Sequence, residues 1–188
     1  MINSLKTERR YTYQEFLEID DENRYELIDG ILYMMSAPSP RHQSISSEIL
    51  RQLGNFLDGK KCSVTHEINV KLFADDDANT VIPDILVICD STKFAGIAYE
   101  GVPDFIIEIT SPSNSYRDYL DKLNDYRRAG VKEYWIIDPE NNKVFVNILE
   151  GNNYSLSHYD FGEISVAVLA GCTINLTRFS QTMAQVGQ

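Results

Sequence analysis

The chain has 188 residues, with 28 acidic against 17 basic side chains and a formal net charge of -11. That length suits one domain whose core needs neither disulfides nor a structural metal. The acidic balance argues against simple non-specific adhesion to nucleic acid, which depends on neutralising phosphates. No apolar run approaches the roughly 20 residues of a membrane-spanning helix.

In chain order, Thr12 followed by Glu15 forms a capping-box pattern that opens a short helix to about Ile19. Tyr25-Glu26-Leu27-Ile28 and Ile31-Leu32-Tyr33-Met34 flank Asp29-Gly30, the strongest short hairpin signal in the chain. A Pro-rich loop follows. From Arg41 to Leu57 the apolar positions Ile45, Ile49, Leu53, Phe56 and Leu57 recur at helical spacing, and Asp58-Gly59 ends that helix. Val64, His66, Ile68, Val70 and Leu72 alternate with polar residues and predict one strand with a buried face. Asp75-Asp76-Asp77-Ala78-Asn79 reads as a solvated hairpin tip, since it lacks the length and glutamate of a calcium loop.

Ile85 to Cys89 and Phe105 to Ile109 are nearly continuous apolar runs, as central strands covered on both faces require. Tyr116 to Ala129 reads as a helix closed by Gly130, and Glu133 to Asp138 as a further strand. Short strands then continue to about Phe179. The passage 105–138 is a strand-helix-strand crossover between parallel strands. The expected architecture is a single α/β (α+β) domain over residues 1–188, a mixed sheet with helices packed on it. Its core spans 11–150, and a strand-rich tail over 151–180 covers a sheet edge or pairs with a second chain. Cys62, Cys89 and Cys172 are odd in number, far apart and without a C-x-x-C pattern, so they read as reduced thiols in or near the core. The start, Met1 to Arg10, is polar and unlike a signal peptide, and a reducing cytoplasm is the expected compartment.

Two carboxylates carry the chemistry. Asp84 follows Pro83 at the head of one apolar run, and Glu108 interrupts the next. Each must be paired, neutralised or bound to a cation, because burying an unpaired charge is costly. If the two strands are antiparallel neighbours, the start of one lies beside the end of the other and the carboxylates converge. With a backbone carbonyl and waters they make a hard oxygen site of the kind magnesium or manganese prefers. Lys122 lies on the apolar stripe of its helix with Tyr119, Leu123, Tyr126 and Ala129, so it either snorkels outward or is drawn inward by negative charge. The structural alternative makes Asp84 a turn cap and Glu108 the partner of Lys122 in a buried ion pair. Spacing alone leaves catalysis and structure evenly matched.

Pro83-Asp84, Glu108 and the run Ser111-Pro112-Ser113, Asp118, Lys122, Tyr126, Gly130-Val131 and Glu133-Tyr134-Trp135 resemble the PD-(D/E)XK restriction-endonuclease-like superfamily. More narrowly, they resemble a large bacterial endonuclease family expanded in photosynthetic bacteria. The likeness runs from about Tyr11 to Leu149 and takes in Tyr25 to Gly30 and Pro38 to His42. It implies a helix, three strands, helix, strand core. It also implies a Mg2+ or Mn2+ phosphodiesterase site at Asp84 and Glu108 acting on nucleic acid, DNA first. The superfamily pattern puts a lysine two residues after the glutamate, where this chain has Thr110. In the narrower family the lysine moves to the following helix, which here is Lys122, where it would orient the attacking water.

Glu26 and His42 are further candidates. His42 begins the long helix and would position water, against the plainer reading of a surface histidine. Glu26 sits beside the hairpin turn, where a strand-pairing salt bridge is equally plausible. Glu67 adjoins a central strand and could approach the site. His66 and His158 read as structural, and Ser111 and Ser113 as turn formers. Lys60-Lys61 and the Arg127, Arg128 and Lys132 group are possible phosphate contacts. Asp118, Asp121 and Asp125 share the helix with that second group, which reads as a solvated mixed-charge face. Many nucleases of this fold act as dimers, so a homodimer is expected. The competing function is a nuclease fold kept as a catalytically inactive binding or assembly module; a phosphatase-like hydrolase is a third.

Overall fold

The computed structural model describes residues 9–21, 23–35, 37–110 and 116–180, without the side chains of 116–120. Helix α1 (Tyr13–Leu17) carries the full capping box: Thr12 Oγ1 accepts from Glu15 N–H, and the Glu15 carboxylate accepts from Thr12 N–H. Strands β1 (Tyr25–Ile28) and β2 (Ile31–Met34) pair antiparallel around the turn at Asp29 and Gly30, whose φ values are 51° and 76°. Both residues are left-handed, as a two-residue hairpin turn of the I′ type demands. A Cβ on Gly30 would also meet the Tyr11 carbonyl oxygen at 3.2 Å. Helix α2 (Pro40–Leu57) starts from Ser39, whose hydroxyl accepts from His42 N–H.

The central sheet has six strands in the order β11-β10-β9-β8-β5-β3. They are β3 (Ser63–Thr65), β5 (Ile85–Ile88), β8 (Phe105–Ile109), β9 (Glu133–Asp138), β10 (Lys143–Glu150) and β11 (Asn153–Asp160). Helix α3 (Tyr116–Ala129) links β8 to β9, the one parallel pair in the sheet, so the crossover expected over 105–138 is present. β5 and β8 are antiparallel, with Ile85 opposite Ile107, which continues to Asp84 opposite Glu108.

Two apolar layers cover the sheet. Ile85, Val87, Phe105, Ile107 and Trp135 face α2 and the chain from Phe161 to Leu176. Leu86, Ile88, Ile106 and Tyr134 face Tyr126 of α3 together with Val70 and Tyr99. The central runs are therefore apolar throughout because both sides are dry. Asp84, Leu86, Ile106 and Glu108 fall on one face by alternation, under α3. The tail is part of the same core: β12 (Glu163–Ser165) and β13 (Thr173–Asn175) form a hairpin whose Ile164 and Ile174 join the α2 layer.

Two expectations fail, and one stretch without an expectation proves to be structured. The single strand over 64–72 is two strands in different sheets, β3 and β4 (Asn69–Lys71), because Glu67 takes a left-handed φ of 52° and turns the chain between them. Between Cys89 and Phe105 the chain forms two further strands, β6 (Phe94–Ala95) and β7 (Ala98–Glu100), and β7 pairs with β4. Cys62 and Cys89 are joined in a disulfide instead of standing as free thiols. Ser63 faces Ile88 across β3 and β5, so the next pair outward brings the two cysteines together. Cys172 is free and buried, as expected.

Candidate active site

Five separate elements meet at the end of the β5–β8 pair. β8 supplies Glu108, the turn into β5 supplies Asp84, β1 supplies Glu26, the first turn of α2 supplies His42, and α3 supplies Lys122 and Tyr126. The Lys122 ammonium donates to Glu26 Oε1 at 2.9 Å and to Glu108 Oε1 at 3.1 Å. Tyr126, one turn further along α3, donates its hydroxyl to the same Glu108 oxygen at 2.8 Å. Glu26 Oε1 also accepts from the Ile82 amide at 3.1 Å. Asp84 Oδ2 accepts from the Ile109 amide at 2.7 Å and lies 3.1 Å from His42 Nε2.

Lys122 is therefore drawn inward. The ion pair with Glu108 raised as the structural alternative is present, but Asp84 caps no turn; it ties β5 to the end of β8 and to α2. His42 is no surface histidine: it is 6% exposed, because Asp84 pulls its ring under the helix start. Its Nδ1 is buried without a hydrogen-bond partner among the described residues. Glu26 reaches Lys122 across 96 positions of sequence instead of pairing within its own hairpin. Glu67 lines the cavity above the site and pairs with Arg24 at 3.2 Å. His66 is exposed beside Glu67, and His158 lies on the exposed face of β11. Lys132 is tied to Asp104, and Arg128 to Asp125, as a mixed-charge face predicts. Ser111 and Ser113 and the side chain of Asp118 lie outside the described residues. The sequence reading missed Tyr126 as a site residue, although its position four after Lys122 places it on the same helical face.

The electrostatics follow from crowding. Burial pushes the Glu108 carboxyl up to about 7; Lys122 opposes that rise, and Asp84 and Glu26 add to it. Burial alone would discharge Lys122, but Glu108 and Glu26 outweigh it and hold the ammonium well above its ordinary range. Burial likewise disfavours the His42 imidazolium, and the hydrogen bond and charge of Asp84 reverse that, raising its pKa. Three carboxylates thus surround one ammonium and one histidine, an excess of negative charge in a largely dry place.

That excess is the observation that fits a divalent cation. Asp84 Oδ1 and Glu108 Oε2 accept no hydrogen bond from the described residues, so two hard oxygens stand available. Among the described residues no three His, Cys, Asp or Glu side chains enclose an ion by themselves. Magnesium does not need such a cage: it is usually held by one or two carboxylates, with water and substrate phosphate completing its shell.

The helix, three-strand, helix, strand core with its carboxylates at one end of the central pair is the restriction-endonuclease-like fold. A crystal structure of "a putative nuclease belonging to DUF820 from Anabaena variabilis ATCC 29413" superposes with a TM-score of 0.74 at 20% identity, covering 90% of this chain and 97% of that one. Residues 13–177 match the family described as "Uma2: Putative restriction endonuclease", and the chain belongs to that family. It is also 28% identical over 126 residues to the "Uncharacterized protein slr1290" of Synechocystis sp. (strain ATCC 27184 / PCC 6803 / Kazusa). The aligned stretch spans 66% of the length of that curated relative. No described helix is long and apolar enough to cross a membrane.

Proposed function

We propose that this chain is a divalent-metal-dependent nuclease that hydrolyses phosphodiester bonds within nucleic acid. The observation that carries the reading is the surplus of buried carboxylate around a single lysine. Asp84 and Glu108 would hold Mg2+ or Mn2+, and the ion would supply Lewis acidity and a water of lowered pKa. The chain's own groups do the rest. Tyr126 and the Ile109 amide fix the two carboxylates by occupying one oxygen of each, leaving the other oxygen without a hydrogen bond among the described residues. Lys122 sits beside Glu108 as the cation that orients the attacking water and offsets charge developing on the phosphate. Glu26 holds Lys122, and His42 holds Asp84.

The test is calorimetric titration of manganese into the wild type and Glu108→Ala, both checked for folding, alongside a cleavage screen on DNA and RNA. Saturable binding lost in the variant, with cleavage in the wild type, supports the proposal. Undiminished binding in both Glu108→Ala and Asp84→Ala removes it. Two observations favour the second reading, an inactive binding module: the ammonium of Lys122 is already engaged by two carboxylates, and Thr110 stands at the usual lysine position. Metal-dependent cleavage that disappears in Lys122→Ala rules that reading out.

A further inference from the structure

Above the carboxylates lies a cavity of about 500 Å3, walled by the β1–β2 hairpin, the loop after β4 and the outer face of α3. Its charge is unusual for a nucleic-acid groove. Among the described residues eight carboxylates line it against three cations, Arg24, Lys122 and Arg128. Each cation is already paired: Arg24 with Glu67, Arg128 with Asp125 and Lys122 with the site itself. Nucleic-acid backbones, paired or unpaired, are usually held through phosphate contacts to lysine and arginine, and this lining supplies few of them, so recognition here has to come from other surfaces.

What the walls offer instead is apolar and aromatic surface. Tyr33 is the direct cross-strand partner of Glu26, so both side chains stand on the same face of the hairpin, with Arg24 and Met35 continuing that face. Phe73 lines the opposite loop, with the Arg128 guanidinium 5.1 Å from its ring centre. An aromatic ring beside a buried carboxylate, and a second ring under a guanidinium, are the parts that stack nucleobases without reading their sequence. The size agrees: about 500 Å3 is the range that encloses a small molecule or one nucleotide. The depth agrees too, because Glu108 is 5% exposed at the floor. A phosphodiester between paired neighbours on a stiff duplex reaches that floor only by deforming the helix, whereas an unpaired strand bends to it without that cost.

We infer that the cavity selects unpaired nucleotides, with bases resting on Tyr33 and Phe73, so that the substrate is single-stranded nucleic acid or an unpaired segment. This rests on the nuclease reading above and narrows its substrate class. Tyr33 and Phe73 are specificity-determining residues; the phosphate is met by the metal site and not by a basic track.

The experiment compares initial cleavage rates in Mn2+ for one labelled oligonucleotide sequence presented as a single strand and as a perfect duplex, in deoxyribose and ribose versions. The full chain is used, with Tyr33→Leu, Tyr33→Phe and Phe73→Leu, each checked for folding by circular dichroism. Leucine keeps apolar bulk but has no ring face, so kcat/KM on the single strand falls by about 5- to 150-fold, the range expected for one lost base stack. Tyr33→Phe, which keeps the ring face, loses less than Tyr33→Leu on the single strand. The single strand is cut at least about tenfold faster than the duplex, a preference carried by the same stacking contacts. A duplex cut as fast as the single strand, or leucine variants that cut normally, overturns this inference and leaves the nuclease reading standing. Cleavage of neither form, with manganese bound, overturns both.

Discussion

Replacing Lys122 by methionine removes one charge and little volume, and its consequence follows from the three groups around it. Wild-type Lys122 lies 2.9 Å from Glu26 and 3.1 Å from Glu108, both nearly buried. Taking away one partner of a buried ion pair leaves the other uncompensated and typically costs about 3–5 kcal/mol. With a urea dependence of about 2 kcal/mol per molar, that moves the unfolding midpoint down by about 2 M at pH 8. At pH 5.5 Glu108, whose carboxyl is lifted to about 7, already holds its own proton, and only Glu26 loses a counter-charge. The loss there falls to about half, as for one unpaired carboxylate instead of two. Adding Glu26→Gln to Lys122→Met returns at least about 1 kcal/mol, because one orphaned charge is gone. Urea titrations followed by Trp135 fluorescence measure all three quantities. A loss under about 1 kcal/mol at pH 8, or a double variant weaker than the single one, would refute the argument that Lys122 is held by charge.

Other outcomes are equally specific. Glu108→Gln should flatten the pH dependence of stability. A carboxyl raised from 4.5 to about 7 on folding stabilises the native state fully below about pH 4.5, and that contribution disappears as pH climbs through 7. Between pH 5.5 and 8 the wild type therefore loses about 2 kcal/mol more than the variant, and parallel stability curves would contradict the assignment. Thr110→Lys, introduced into Lys122→Met, should restore part of the metal-dependent cleavage. The Thr110 amide continues the β8–β9 ladder, so position 110 projects on the Glu108 side; no recovery in a folded protein counts against Lys122 as the displaced lysine. Reducing the Cys62–Cys89 bridge, with its sequence separation of 27, should lower stability by about 3–4 kcal/mol on the loop-entropy estimate. An unchanged denaturation curve under reducing agent would show the bridge to be dispensable.

Local patterns were legible because their causes are local. Asp29-Gly30 specified the hairpin by backbone conformation, Thr12 and Glu15 opened α1, and Gly130 closed α3. The meeting of Asp84 and Glu108 was legible as well, since two apolar runs with carboxylates at opposite ends converge only when antiparallel. What stayed hidden depends on contacts distant in sequence. Nothing near Glu26 announces that Lys122 and the Ile82 amide will find it. The break at Glu67 is invisible in an unbroken alternation, since a left-handed backbone at a glutamate leaves no compositional mark. Cys62 and Cys89 became partners only once β3 was laid against β5.

The chain from Phe161 to Leu176 supplies seven of the twenty buried residues in the α2 layer, including Ile164, Ile174 and Leu176. This sets an order in time for the newborn polypeptide. Every strand that carries a catalytic candidate is made before the residues that roof the other side of the sheet. At roughly 5–20 residues per second, the stretch from Asp138 to Leu176 takes about 2–8 s to synthesise. Until then Trp135, Phe105 and their neighbours lack that part of their cover. The site thus rests on a sheet whose far face is completed by the distal hairpin, on a side that bears none of the chemistry.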